Sequence, residues 1–343
     1  MRAVSLPGNK QVLVVHRDRP TPGSHEVLVK TMASAICRSD MSLYYGNPIV
    51  GGADASAGIN VPGHEAAGIV VEIGNAVTHV AVGDRVAGHL AIGCGFCEYC
   101  ATGFSMLCNV WKCFGFDTSG GDADYFVIPE RNALPLPDHL SFKAGAVMTD
   151  MIGSQFSVQK RLGVNGSQTI AVIGLGPMGS AAVLVAKAFG ARVIAVDILD
   201  ARLAQAAGLG ADEIVNSKDV DPVAAVRRLT AGRGADVCID CSGNPAGQNS
   251  ALDAAAKLGA VAFVGESRKT EINPSDQILR KLLTVVGGWY FPIGEWQEIL
   301  RFVEENNIDV EALISHEFSI EDAEEAFGAF DRRETEKAVF VWQ

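Results

Sequence analysis

Four cysteines fall within one short stretch, Cys94, Cys97, Cys100 and Cys108, spaced C-x2-C-x2-C-x7-C. Two-residue gaps let successive thiolates turn toward one point, and the fourth closes a tetrahedral all-sulfur site. Such a site holds zinc with no open position, so it supports structure and does no chemistry. An iron–sulfur cluster would accept the same ligands, but nothing else in the chain suggests electron transfer. A second group with chemistry in its spacing is Gly174-Leu175-Gly176-Pro177-Met178-Gly179, between an apolar run and a helical pattern. Gly174 permits a tight turn, Gly176 lets a pyrophosphate approach the backbone, and Gly179 allows close helix–strand packing. Pro177 and Met178 open the helix, whose free N–H groups face the phosphates. Asp197 closes the next apolar run and can accept the adenosine ribose hydroxyls. No Arg or Lys follows it directly, which favours NAD over NADP. Arg202 is close enough to face the adenine or ribose, although a solvated helix residue is an equal reading.

These groups need elements to hold them, and the chain changes rhythm in a way that supplies two kinds. Up to about Thr149, short Val- and Gly-rich runs such as 27–30, 67–74 and 84–87 alternate with turn residues, which predicts a barrel-like β unit. From Thr169 onward, apolar strands alternate with helical stretches. Six strands are expected at 169–173, 192–197, 213–216, 236–240, 260–264 and 284–286, forming a doubly wound parallel sheet. Beyond Trp289 come an amphipathic helix near 295–304, an acidic helix at 320–330 and a terminal strand at 337–342 that returns to the first unit. The expected division is residues 1–151 with 289–343 as the β-rich catalytic domain, and 152–288 as the dinucleotide domain.

With 343 residues the chain is long enough for two such domains. Its formal charge of −12 argues against nucleic-acid or anionic-membrane partners. No apolar run is long enough to span a membrane, and the N-terminus lacks the apolar region of a signal peptide. A cytoplasmic location is expected, where thiols stay reduced and eight cysteines need a reason other than disulfides.

Taken together, Pro62-Gly63-His64-Glu65, Val82-Gly83-Asp84-Arg85-Val86, the cysteine lobe and the glycine loop resemble, in order and from end to end, the zinc-containing medium-chain dehydrogenase/reductase family. That family includes alcohol, polyol and threonine dehydrogenases. The resemblance implies an α/β fold: a GroES-like β-rich catalytic domain plus a doubly wound Rossmann domain with a six-stranded parallel sheet. It also implies two zinc ions per subunit, one structural and one catalytic. For the catalytic zinc, Cys37, His64 and Asp150 match the ligand positions, and Glu65 is an auxiliary ligand. Three protein ligands leave a position for water or substrate oxygen. Ser39 matches the hydroxyl residue that passes the substrate's proton outward. Relatives end that relay with a histidine five residues after the cysteine, where this chain has Ser42.

The implied reaction is hydride transfer between NAD and a secondary alcohol or polyol and its ketone, in a homodimer or homotetramer. An amino alcohol of the threonine type is the alternative, followed by a zinc-independent or non-catalytic protein on the same fold, which the retained ligands oppose. Pocket candidates are Ser39, Tyr44, Tyr45, Trp111, Phe114, Phe116, Asp122, Trp289 and Tyr290. A polar Asp122 facing the substrate would favour a polyol, whereas the bulk of Trp289 and Tyr290 suits an apolar alcohol equally well. Cys238 and Cys241 look like a redox pair but lie on an apolar strand, so packing is the better account. Cys113, the remaining histidines and the acidic run at 321–325 have no motif around them.

Overall fold

The computed structural model describes residues 1–48 and 61–343. Two compact units emerge: Met1–Asp150 with Pro292–Glu298 and Asp309–Gln343, and Met151–Phe291 with Ile299–Ile308. Among the described residues no helix is long and apolar enough to cross a membrane.

The first unit is built on a seven-stranded sheet, ordered His316–Phe318, Ala338–Val341, Glu26–Ala35, Glu65–Ile73, Arg85–Gly88, Ala133–Pro135, with Tyr125–Pro129 also paired to Glu26–Ala35. The long strand Glu26–Ala35 is its spine. Along one edge it takes Tyr125–Pro129 at its start and the C-terminal strand at its end, and along the other it takes Glu65–Ile73. The tail therefore closes on the first unit's sheet, and apolar side chains of the spine strand are buried in its interior. Val27, Leu28, Val29, Ala33 and Ala35 are completely buried. The helix Phe142–Val147, capped by Ser141 through the Ala144 N–H, packs on this sheet. It runs directly into a π-helical turn, Met148–Ile152. That extra residue per turn re-aims the side chains within it, a device found where function needs a particular direction; here the turn carries Asp150.

The second unit has six parallel strands in the order Glu213–Asn216, Arg192–Asp197, Thr169–Ile173, Ala235–Asp240, Ala255–Phe263, Thr284–Gly287. Register is regular from Thr169↔Arg192 to Ile173↔Val196. Chain order reverses between Thr169–Ile173 and Ala235–Asp240, the switch point at whose carboxyl side ligands bind in such sheets. Near-continuous apolar strands are what a sheet covered on both faces requires, and Ile170, Val172, Val193, Ala195, Val237 and Ile239 form one side of the core. The strand at 255–263 begins five residues earlier than its apolar run suggests, because Ala255 already pairs with Ala235 before a bulge.

Candidate active site

Cys37 leaves the end of the spine strand and enters a tight turn. Asp40 makes the turn: its Oδ2 accepts the Cys37 N–H at 2.8 Å, while its own N–H donates to the Cys37 carbonyl at 3.1 Å. The other carboxylate oxygen, Oδ1, lies 3.1 Å from Nδ1 of His64. Asp40 is fully buried, so this contact orients the ring with Nδ1–H donating and turns Nε2 toward the other donors. Nε2 then lies 3.7 Å from Oδ2 of Asp150, and the same oxygen lies 3.7 Å from Sγ of Cys37.

His64 stands just before the strand Glu65–Ile73, and the glycine ahead of it is obligatory. Gly63 has φ of 91°, and a Cβ there would lie 2.2 Å from Oδ1 of Asp122. Glu65 is the next residue and turns inward, where Oε1 accepts a hydrogen bond from the buried ammonium of Lys337. Its second oxygen, Oε2, is buried with no hydrogen-bond partner among the described residues. One donor atom each from Cys37, His64, Glu65 and Asp150 lies within 4.8 Å of the others.

Electrostatics explain the clustering. Burial pushes the Cys37 thiol up, and it pushes Glu65 up to about 7 against the pull of Lys337. Burial also opposes charge on His64, but Asp40 and Cys37 outweigh it and hold the imidazole well above its ordinary value. Without a metal these shifts favour the protonated thiol and the protonated imidazole. A thiolate, an imidazole and carboxylates around one point, with an orphaned carboxylate oxygen, fit a divalent zinc that displaces those protons.

The cysteine lobe is a separate centre. Cys94, Cys97, Cys100 and Cys108 also bring their sulfurs within 4.8 Å of one another. Cys97 caps the helix Glu98–Ala101, its sulfur accepting the Cys100 N–H at 3.5 Å, and Cys108 accepts the Cys94 N–H at 3.4 Å. Backbone N–H groups of Phe96 and Cys97 bring Cys94 down to about 6, as a metal-binding thiolate requires. A Cβ on Gly93 would meet the Cys100 sulfur at 2.4 Å, so glycine is needed to let the backbone pass. Four soft donors, with no fifth among the described residues, match a closed structural zinc site.

In the second unit, Asp197 fastens the glycine loop. Its Oδ2 accepts the Leu175 N–H at 2.7 Å, and Oδ1 accepts those of Ile198 and Leu199 at 2.7 and 3.0 Å. Gly174 has φ of 87°, and a Cβ on Gly179 would sit 1.9 Å from the Gly174 carbonyl oxygen. Gly176 caps the helix Pro177–Ala188, with Pro177 and Met178 in its first turn. Arg202 turns toward this loop: Nη1 is 3.9 Å from Asp197, and its guanidinium would lie 3.8 Å from a Cβ on Gly176. An anionic dinucleotide phosphate fits this cradle.

Some pocket candidates are placed elsewhere. Tyr44 stacks on Phe327, Tyr45 bonds to Asp331, and Phe114 packs on Phe126, so all three serve the core or the C-terminal helix. Phe116 does approach the site, with ring centroids 5.5 Å from His64. Asp122 is completely buried, accepts a hydrogen bond from Ser34 at 2.6 Å and is pushed up to about 7 by burial. It is a core residue beneath Gly63, and the polyol preference drawn from it loses that support. Cys238 and Cys113 are buried and pushed up to about 12, and Cys241 higher still, consistent with packing. Two residues went unnoticed in the sequence. Asp40 had a signal in its three-residue spacing from Cys37, whereas Lys337 had none.

Known proteins share both halves of this chain. Residues 23–138 match the alcohol dehydrogenase GroES-like domain, and residues 177–305 match the zinc-binding dehydrogenase domain. The zinc-type alcohol dehydrogenase-like protein YphC of Escherichia coli (strain K12) is 34% identical over 95% of this chain and 94% of its own. Sorbitol dehydrogenase of Halalkalibacterium halodurans is 31% identical over 97% and 96%. Alcohol dehydrogenase TADH from Thermus sp. ATN1 superposes with a TM-score of 0.92 over the whole of both chains, at 28% identity. The chain belongs to the zinc-containing medium-chain dehydrogenase/reductase family. It is an oxidoreductase with a GroES-like and a Rossmann-type unit.

Proposed function

We propose that this enzyme transfers a hydride between NAD and a secondary alcohol or polyol, with Cys37, His64 and Asp150 as the ligands of a catalytic zinc. The observation that carries the reading is the convergence of a thiol, an imidazole and two carboxylates, those of Glu65 and Asp150, on a single largely buried point. Zinc bound there supplies Lewis acidity to the substrate hydroxyl, and NAD supplies the hydride acceptor.

The chain's own residues do the rest. Asp40 holds the imidazole of His64 in one tautomer. Lys337 keeps Glu65 in place as the auxiliary ligand, so that a carboxylate stands ready when substrate leaves. Ser39 Oγ, 3.4 Å from His64 Nε2, is the hydroxyl that takes the substrate's proton and hands it on. Asp197 accepts the adenosine ribose hydroxyls and its charge repels a 2′-phosphate, so NAD is preferred; Arg202 flanks the adenosine. Cys94, Cys97, Cys100 and Cys108 hold the structural zinc. The reading includes a homodimer or homotetramer working in the cytoplasm.

Two measurements test it. Elemental analysis should return two zinc per subunit, and a panel of polyols, amino alcohols and simple secondary alcohols should show oxidation with NAD in preference to NADP. One zinc, or no turnover on any alcohol of the panel, would refute the assignment.

A further inference from the structure

The helix Gly153–Arg161 packs against the helix Pro177–Ala188 that opens at the glycine loop, both within the second unit. The core on this side of the sheet is apolar, with Val158, Leu175, Ala182, Val183 and Ala186 buried in it. Two amides break that pattern. Gln155 and Gln159, one helical turn apart, are both completely buried. Gln159 Nε2 donates to the Ala182 carbonyl at 3.0 Å and to Oε1 of Gln155 at 3.4 Å. Gln155 Nε2 donates to Sγ of Cys241 at 3.5 Å. Oε1 of Gln159 is buried with no hydrogen-bond partner among the described residues.

Buried amides with an acceptor left over cost stability, and aliphatic side chains of similar volume would suit an apolar core better. These two therefore need a reason other than stability, and what they touch supplies one. Ala182 lies in the second turn of the helix whose first turn opens at the glycine loop. Cys241 follows the strand Ala235–Asp240, and its N–H donates at 2.8 Å to the carbonyl of Ile173, the residue just before the loop. The turn that Cys241 begins abuts the loop at both ends. A Cβ on Gly174 would lie 2.8 Å from Cα of Ser242, and one on Gly179 would lie 3.5 Å from Cβ of Cys241. In sheet order the strands ending at Asp197 and Asp240 flank the one that leads into the loop. Asp197 fastens the loop from one side, and the Cys241 turn abuts it from the other. The amide pair ties that turn to the helix after the loop.

Apolar contacts are non-directional and hold two packed elements in more than one arrangement, whereas hydrogen bonds select one. We infer that Gln155 and Gln159 are positioning residues for the dinucleotide. They fix the helix Pro177–Ala188 against the Cys241 turn, so that the N–H groups of the loop between are aimed at the pyrophosphate. The inference rests on the cofactor reading of the glycine loop and is independent of which alcohol the enzyme takes.

The test measures NADH dissociation by fluorescence titration, and the melting temperature, of the zinc-loaded enzyme. Gln155→Leu and Gln159→Leu should each weaken NADH binding roughly fivefold, with melting temperatures no lower than that of the wild type. Cys241→Ala, which removes the acceptor, should show the same loss. Cys241→Ser, which keeps one, should retain most of the affinity. The double variant Gln155→Leu/Cys241→Ala should lose no more than either change alone, because both break one link. Additive losses would overturn the inference. So would leucine variants that melt lower yet bind NADH as the wild type does, since the amides would then serve the scaffold alone. Should a leucine variant fail to fold, the contrast at Cys241 decides, and equal affinity in its Ala and Ser variants overturns the role of Gln155. A wild type that binds no NADH removes the cofactor reading itself, and this inference with it.

Discussion

The molecule's first unit carries two donor clusters of equal size and opposite construction. The cysteine lobe takes all four sulfurs from a single stretch, holds them with its own backbone N–H groups, and leaves three of the four cysteines partly exposed. The other cluster gathers unlike donors from Cys37, His64, Glu65 and Asp150, parts of the chain up to 113 residues apart, and is almost wholly buried. Its charges need supports of their own, Asp40 behind His64 and Lys337 behind Glu65. A closed local site can hold a metal by itself. An open one, with a position kept for exchange, must be braced by the fold around it.

The sharpest way to break this contrast is to remove one sulfur from each cluster. Cys37→Ala should lower turnover by at least ~10³-fold, the loss of several kcal/mol of Lewis-acid stabilisation, while metal analysis still finds the lobe zinc. Cys97→Ala should lose the other zinc and lower the melting temperature, with far less effect on the turnover of protein that remains folded. Equal losses of activity from the two would erase the distinction.

Lys337→Met leaves Glu65 buried without its cation and should cost about 3–5 kcal/mol in chemical denaturation. Adding Glu65→Gln should recover part of that, because the pair is coupled. Asp40→Asn keeps the shape but gives His64 a weaker partner, and zinc affinity in chelator competition should fall about 10–100-fold. The lobe's sulfurs accept instead from backbone N–H groups, so the same titration should show its zinc unchanged.

Ser39→Ala should slow alcohol oxidation about 10²-fold while zinc content stays normal; unchanged turnover at neutral pH would remove Ser39 from proton transfer. The smallest effect is expected at Asp122. Burial raises its folded pKa to about 7 from 3.8, so its ionisation progressively disfavours the native state as pH rises between those values. Asp122→Asn should therefore stabilise the protein most above pH ~7, by at least ~2 °C in melting temperature, with the gain shrinking toward pH ~4. A gain independent of pH would mean that Asp122 is not the titrating group.

How much of this was legible in the chain follows the same division. The cysteine lobe and the glycine loop are local, and their spacing alone announces them. So do the six parallel strands, because a sheet covered on both faces demands apolar runs. The mixed cluster could be reached only through the family resemblance, since no local pattern ties Cys37 to Asp150. Lys337 lies 272 residues from Glu65, and its buried ammonium is indistinguishable in sequence from a surface lysine. The π-helical turn that presents Asp150 has no compositional mark, and the burial of Asp122 depends on how closely Gly63 passes over it.

The carboxylate of Asp197 has a consequence for how such an enzyme could change. Three main-chain amides depend on it, besides any nucleotide it selects. Swapping it for a residue that welcomes a phosphorylated ribose would strip the turn of its anchor in the same stroke. Redirecting the chain to the phosphorylated coenzyme is thus not a one-residue step, and a successful redesign must first provide those amides with another acceptor.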